Sequence, residues 1–253
     1  FTGNVNFIFT KSGTTHIIID PAYHTNKLND ITCNHSSLAL HLLSAINIKG
    51  NLTCTAGSFS TQSSSGGTSH ALTVTGRTLI NGGTLTCNAS TISLKSGVNN
   101  NIFGLQVSGG TFNGGTGTHT IGGIRVSGGT LTFTSGNTTI NAGETSSSAG
   151  AIYISGSPTV NTSSGTVIID TSSTLQFLLY NSNLTLHNLT INSGSTIRLW
   201  QPTSDGSGTE LLTVAGDLTI NGTLDTDFSS QDDVNVTVTG DCYVAGTLTG
   251  NAS

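Results

Sequence analysis

Apolar and small polar residues alternate along most of this chain. In Leu72-Thr73-Val74-Thr75, Ile124-Arg125-Val126-Ser127 and Val236-Thr237-Val238-Thr239, residues two apart share one face, so Leu, Ile and Val point one way and Thr, Ser and Arg the other. That period predicts half-buried strands. Gly and Asn close the runs and supply the backbone angles that corners require. A helical period is nowhere sustained. The nearest approach to one is Ser36 to Leu43, SSLALHLL, which reads as a buried strand in preference to a short helix behind a Ser cap.

The alternation is organised into repeats. The stretch LTVTGRTLINGGTLTCNAS from Leu72 returns as LTVAGDLTINGTLDTD from Leu212 and as VTVTGDCYVAGTLTGNAS from Val236. The last two copies align without a gap, Gly216 on Gly240, Asp217 on Asp241 and Thr223-Leu224 on Thr247-Leu248. Shorter copies end at Gly50, Gly109, Gly128, Gly156 and Gly194. From Gly50 onward, with Gly76, Gly216 and Gly240 included, the intervals between these glycines run 26, 33, 19, 28, 38, 22 and 24. A helical-repeat array keeps its unit length because two helices must dock in register, whereas a solenoid of strands lengthens its loops freely. The expected fold is therefore an all-β parallel β-helix (β-solenoid) with irregular coils of about 19–38 residues. It forms one domain over 1–253, with less regular coils in 1–45. Interior rows are expected to include Val74, Val126, Ile154, Val214 and Val238.

Composition supports order despite its polarity. The 253 residues include 44 Thr, 33 Ser, 33 Gly and 23 Asn, and only 8% are charged, but the 34% that are hydrophobic fall at period two, so each coil buries a thin apolar stripe. A net charge of −5 with seven scattered Lys and Arg leaves no basic stripe for nucleic acid. The longest apolar runs, such as Phe177 to Tyr180, are strand-sized and far short of a membrane span. The chain opens on Phe1 and contains no Met, which points to a removed leader or to a piece of a longer protein. Its last residues, Thr247 to Ser253, stop where the matching copy at Thr84 to Ser90 runs on into Thr91-Ile92, so a continuing coil or a stacked subunit is expected there.

Chemistry is sparse. Cys33, Cys54 and Cys87 each share a face with Ile or Leu, no CxxC is present, and Cys242 stands apart, so a zinc site is not expected. Two readings stand for these thiols: a disulfide between adjacent coils, Cys33 to Cys54 being the best-spaced pair, or a ladder of free buried thiols, which is favoured. Eight of the twelve carboxylates lie between Asp205 and Asp241, and LDTDFSSQDD places Asp225, Asp227, Asp232 and Asp233 together. Those oxygens could hold Ca²⁺, but no EF-hand or nonapeptide pattern surrounds them and a solvated acidic loop is preferred. The seven His residues, His16, His24, His35, His41, His70, His119 and His187, are isolated, with no Ser or Asp marking a triad. Thr-x-Thr pairs such as Thr73/Thr75, Thr84/Thr86 and Thr237/Thr239 suggest a flat ice-binding face, ranked below a structural role because any solvated Thr-rich strand has that spacing. Ten N-x-S/T sequons barely exceed what this composition yields by chance.

Against the β-helix enzymes, only Asp232-Asp233 answers to the DD element of polygalacturonase-like sites, and neither the His nor the Arg-Lys partner accompanies it. Pectate-lyase-like sites set Ca²⁺ against Arg and Lys, yet Lys95, Arg125 and Arg198 are far from the acidic segment in sequence. Asp227 with Asp233 is the one carboxylate pair that could serve an inverting glycosidase. The wording GDLTINGTL, VSGGTLTFTSG and LTINSGSTI resembles the low-complexity β-solenoid stretches of bacterial and archaeal surface adhesins, phage fibres and virion decoration proteins. The resemblance implies adhesion, spacing and assembly. The expected role is a non-catalytic extracellular structural or adhesive solenoid, with no cofactor, metal or catalytic residue assigned, working by self-association and contact with surface glycans. A virion fibre and a carbohydrate-active β-helix are the alternatives.

Overall fold

The computed structural model describes residues 5–17, 28–63, 66–94, 103–142, 150–200, 210–226 and 234–250. It is a parallel β-solenoid of roughly eight turns. All its ladders between strands are parallel, and the described residues contain no helix. Ser36 to Leu42 lies within the long strand Leu28–Leu42, as its alternation predicts.

Each coil has three sides. The first carries Thr78–Ile80, Leu105–Val107, Ile124–Val126, Ile152–Ser155, Thr174–Tyr180, Thr196–Trp200, Thr223–Asp225 and Thr247–Thr249. On the second lie Thr84–Thr86, Thr111–Asn113, Thr130–Thr132 and Thr159–Asn161, followed by Leu184–Leu186, Leu211–Val214 and Asn235–Val238. The third runs from Ile46–Ile48 through Leu72–Val74, Ile92–Leu94, His119–Ile121, Asn137–Ile140, Thr166–Ile169, Asn188–Ile191 and Leu218–Ile220 to Cys242–Val244. Leu28–Leu42 and Leu52–Ser60 each turn the corner from first side to second without ending, which joins those two sides into one sheet. Leu28–Leu42 pairs with Leu52–Ser60 through shifts in register.

Register sets the coil length. The pairing of Leu105 with Ile124 marks one of the shortest advances from coil to coil, and that of Thr130 with Thr159 one of the longest. The intervals of 33 and 38 between signature glycines arise because those glycines change corner. Gly76 follows a third-side strand and Gly109 a first-side strand, while Gly156 follows the first side and Gly194 the third. The sequence copies shift phase in the same way, since Leu72 opens on the third side and Leu212 and Val236 on the second. A short strand with an inward-outward-inward pattern fits any side, so one motif serves all three.

The core is the set of inward rows. Val74, Val126, Ile154 and Val214 are buried in it, as their alternation predicts. Val238 points inward too, opposite Val214, but it is only partly buried because it belongs to the last described coil. Corners are held by side chains as well as by backbone. Asp30 Oδ1 accepts the Asn51 N–H at 2.7 Å, and Asn51 Oδ1 accepts that of Arg77 at 2.9 Å. Two other corner residues repeat the device on successive coils, Asn188 Oδ1 taking the Asp217 N–H at 2.9 Å and Asp217 Oδ1 that of Asp241 at 3.0 Å.

The second side is interrupted once. The corner step from Ile80 to Leu85 recurs unchanged from Val107 to Phe112, from Val126 to Leu131 and from Leu179 to Leu184, but the step from Ile154 to Val160 holds one residue more. Counted from the first-side partners Ile154 and Leu179, that extra residue sets inward Val160 level with outward Thr185. An offset of one residue opposes inward to outward positions. Thr159–Asn161 and Leu184–Leu186 accordingly form no ladder.

The inward rows generate a graded expectation. Val214→Asp puts an unpaired charge among fully buried neighbours and should cost about 4 kcal/mol, whereas Val238→Asp at the open end should cost roughly 1–2 kcal/mol. Thermal melts of the two variants check it, and equal losses would contradict the placement of these rows.

Candidate functional site

The chemically distinctive side chains gather on the outside of the first side. Gln106, Arg125, Tyr153, Leu178 and Trp200 occupy one outward row because each is paired with the next at successive coils. Beside it, Gln176, Arg198 and Asp225 form a second row. The Arg125 guanidinium lies over the Tyr153 ring at 4.9 Å, and Phe103 packs against the same ring with centroids 6.3 Å apart. Cation–π contact of this kind is worth about 0.5–1 kcal/mol near solvent and fixes the guanidinium in place. Leu178 faces outward yet is 1% exposed, capped by the backbone at Gly150.

Arg198 and Asp225 make an ion pair at 3.4 Å. Read along the chain, Arg198 stands apart from the acidic segment, but the interval between the two is one coil and the ladder sets Arg198 directly opposite Asp225. The parallel wording Thr196-Ile197-Arg198 and Thr223-Leu224-Asp225 is the sequence signal for that pairing. The other described acids of the segment disperse: Asp217 and Asp241 serve the corner ladder, and Glu210 is buried beside the break in the second side. Lys95, Asp205, Asp227, Asp232 and Asp233 lie outside the described residues, and with them the nominated pair Asp227/Asp233. Among the described residues, no three His, Cys, Asp or Glu side chains come together as a metal site.

Cys33 and Cys54 are register partners on adjacent coils, as their spacing suggests, and both are free thiols. Hydrogen bonding between the two and complete burial push the Cys54 thiol well above its ordinary range, and burial does the same for Cys87. Thiols held protonated in a core are inert. Cys242 is free and exposed because it faces inward on the last described coil. The Thr-x-Thr pair Thr84/Thr86 does point outward, in register with Thr111, Thr130 and Thr159 on the second side.

Of the histidines, His119 is the one that alternation alone would have singled out, since His119 and Ile121 share the inward parity of their strand. It is 2% exposed in the third-side row, between Ile92 and Thr138, with its ring edge-on to Phe112 at 6.0 Å. Burial lowers its pKa to about 4, against the opposing effect of a hydrogen bond to the Gly114 backbone, and Nε2 has no partner. His35 and His41 make backbone contacts, Nδ1 of His35 accepting the Ser37 N–H at 3.2 Å and Nδ1 of His41 lying 2.9 Å from the Gln62 carbonyl. His24 lies outside the described residues.

Comparison with family models, with curated proteins and with solved structures found no match. The first side thus sets a clamped guanidinium, an ion pair and two half-buried aromatic rings, Tyr153 and Trp200, along successive coils.

His119 makes stability depend on pH with a definite sign. Its folded pKa is below the unfolded value of 6.5, so the unfolded chain binds the extra proton and stability falls as pH drops from 6.5 toward 4. The loss should reach about 2 kcal/mol at pH 5. His119→Ile should flatten the melting temperature between pH 7 and pH 5, and an undiminished acid sensitivity in that variant would assign the effect elsewhere.

Proposed function

We propose that this chain is a non-catalytic structural or adhesive solenoid of an extracellular surface or coat, working through its outward rows and through contact between coils of neighbouring copies. The observation that carries the reading is the state of the last described coil. Val244 and Leu248 sit in core rows, opposite Ile220 and Leu224, yet are 43% and 50% exposed, and Tyr243 beside them is 62% exposed. Strands Asn235–Val238, Cys242–Val244 and Thr247–Thr249 each have a ladder partner on one edge only among the described residues. An open edge with apolar rows at its rim is a template for one more parallel coil.

A coil of the same polypeptide or of a neighbouring copy would cover it, and the first described coil is open in the same way. Val5–Phe9 and Gly13–Ile17 each pair on one edge alone among the described residues, and Phe7 and Ile8 are 37% and 67% exposed. Stacking of one copy's first coil on another's last would be heterologous and would propagate as a filament. The first-side rows, half-buried along the rod's flank, would then repeat with each copy and give an adhesive surface its multivalency.

Sedimentation velocity across a hundredfold concentration range tests this. Concentration-dependent end-to-end oligomers are expected, and Val244→Lys with Leu248→Lys should abolish them while leaving the fold intact. A monomer at every concentration, or release of reducing sugar from a polysaccharide panel, would contradict the proposal.

A further inference from the structure

The break in the second side opens a cleft. Where Thr159–Asn161 and Leu184–Leu186 fail to pair, a space of about 300 Å³ lies between the corner residues Gly156, Ser157 and Pro158 and the corner residues Asn181, Ser182 and Asn183. A further space of about 380 Å³ shares Asn181, Ser182 and Asn183 and reaches Glu210. These volumes are in the range of small-molecule pockets.

Its lining is polar and its donors and acceptors are held. Ser182 Oγ donates to the Gly156 carbonyl at 2.9 Å, which bridges the two corners where the ladder is missing. Asn183 Oδ1 accepts the Leu211 N–H at 2.9 Å, and this leaves its NH₂ as a donor. Asn181 adopts a left-handed backbone at φ 50°. Glu210 is only 3% exposed and its Oε2 has no hydrogen-bond partner. A buried carboxylate oxygen without a donor is costly, so this one calls for a hydrogen-bond donor from a ligand.

We propose that this cleft binds a neutral hydroxyl-rich ligand, a mono- or disaccharide unit, with a hydroxyl donating to the Glu210 carboxylate and others bonded to the amides of Asn181 and Asn183. One carboxylate among amides and a hydroxyl matches ligand O–H groups, which both donate and accept. A hard divalent cation draws on six to eight oxygens, commonly with several carboxylates among them, and the described lining contains Glu210 alone of that kind. The inference stands apart from the end-to-end assembly, since a single copy carries the whole cleft.

Saturation-transfer NMR and titration calorimetry on the full chain test it, using glucose, galactose, mannose, N-acetylglucosamine and their β-linked disaccharides, with calcium chloride alone in parallel. At least one sugar should bind saturably, and Glu210→Gln should weaken it about tenfold. Asn181→Gly, which keeps the left-handed backbone while removing the amide, should weaken it as well and keeps the test valid if the Glu210 variant fails to fold. Absence of binding by every sugar, equal binding by the folded variants, or Glu210-dependent binding of Ca²⁺ in place of sugar would each overturn the assignment.

Discussion

At the corner between the first and second sides, the Gly83 carbonyl accepts the Thr111 N–H at 2.9 Å, the Gly110 carbonyl accepts that of Thr130 at 2.9 Å, and the Gly129 carbonyl that of Thr159 at 2.9 Å. Each glycine lies against the carbonyl oxygen of the glycine one coil before, so close that a Cβ on Gly110 would occupy the space of the Gly83 oxygen. This approach sets the distance at which one coil rests on the next. Inward rows pack and parallel ladders close only at that distance. The Asn and Asp side chains that cap other corners do so beside glycines that approach in the same way, Gly76 on Gly50 and Gly240 on Gly216.

The irregular features follow from counts along the corners. The step that carries Val126 to Leu131 and Leu179 to Leu184 keeps successive strands level, and the extra residue between Ile154 and Val160 shifts the next strand by one position. Loss of a ladder costs the second side its continuity, and the gap is bridged by Ser182 and lined by Asn181, Asn183 and Glu210. The break thus gives the chain a polar recess on its second side.

Much of the architecture was legible in the sequence because strands of period two with Gly corners have few alternatives. Val74, Val126, Ile154 and Val214 fall inside for that reason, and Cys33 meets Cys54 because one coil separates them along the chain. Phase was not legible: LTVTG and LTVAG look alike although Leu72 and Leu212 lie on different sides. The pairing of Arg198 with Asp225 is signalled only by the matching Thr-Ile-Arg and Thr-Leu-Asp triplets, since distance along a solenoid is measured in coils and the coils differ in length. Glu210 read as one acid among eight, and only the folded corner shows that its carboxylate is buried while Asp217 and Asp241 cap strands.

The dependence on close approach is tested most directly by comparing two glycine substitutions in thermal melts. Gly194 has φ +84° and open space around it, so Gly194→Ala should cost about 1–2 kcal/mol from backbone strain alone. Gly110 carries no such backbone constraint, but its methyl would strike the Gly83 carbonyl and Ile80, so Gly110→Ala should cost about 3 kcal/mol or more. A Gly110→Ala protein that melts at or above the Gly194→Ala protein would show that coil spacing is set by something other than the glycine corners.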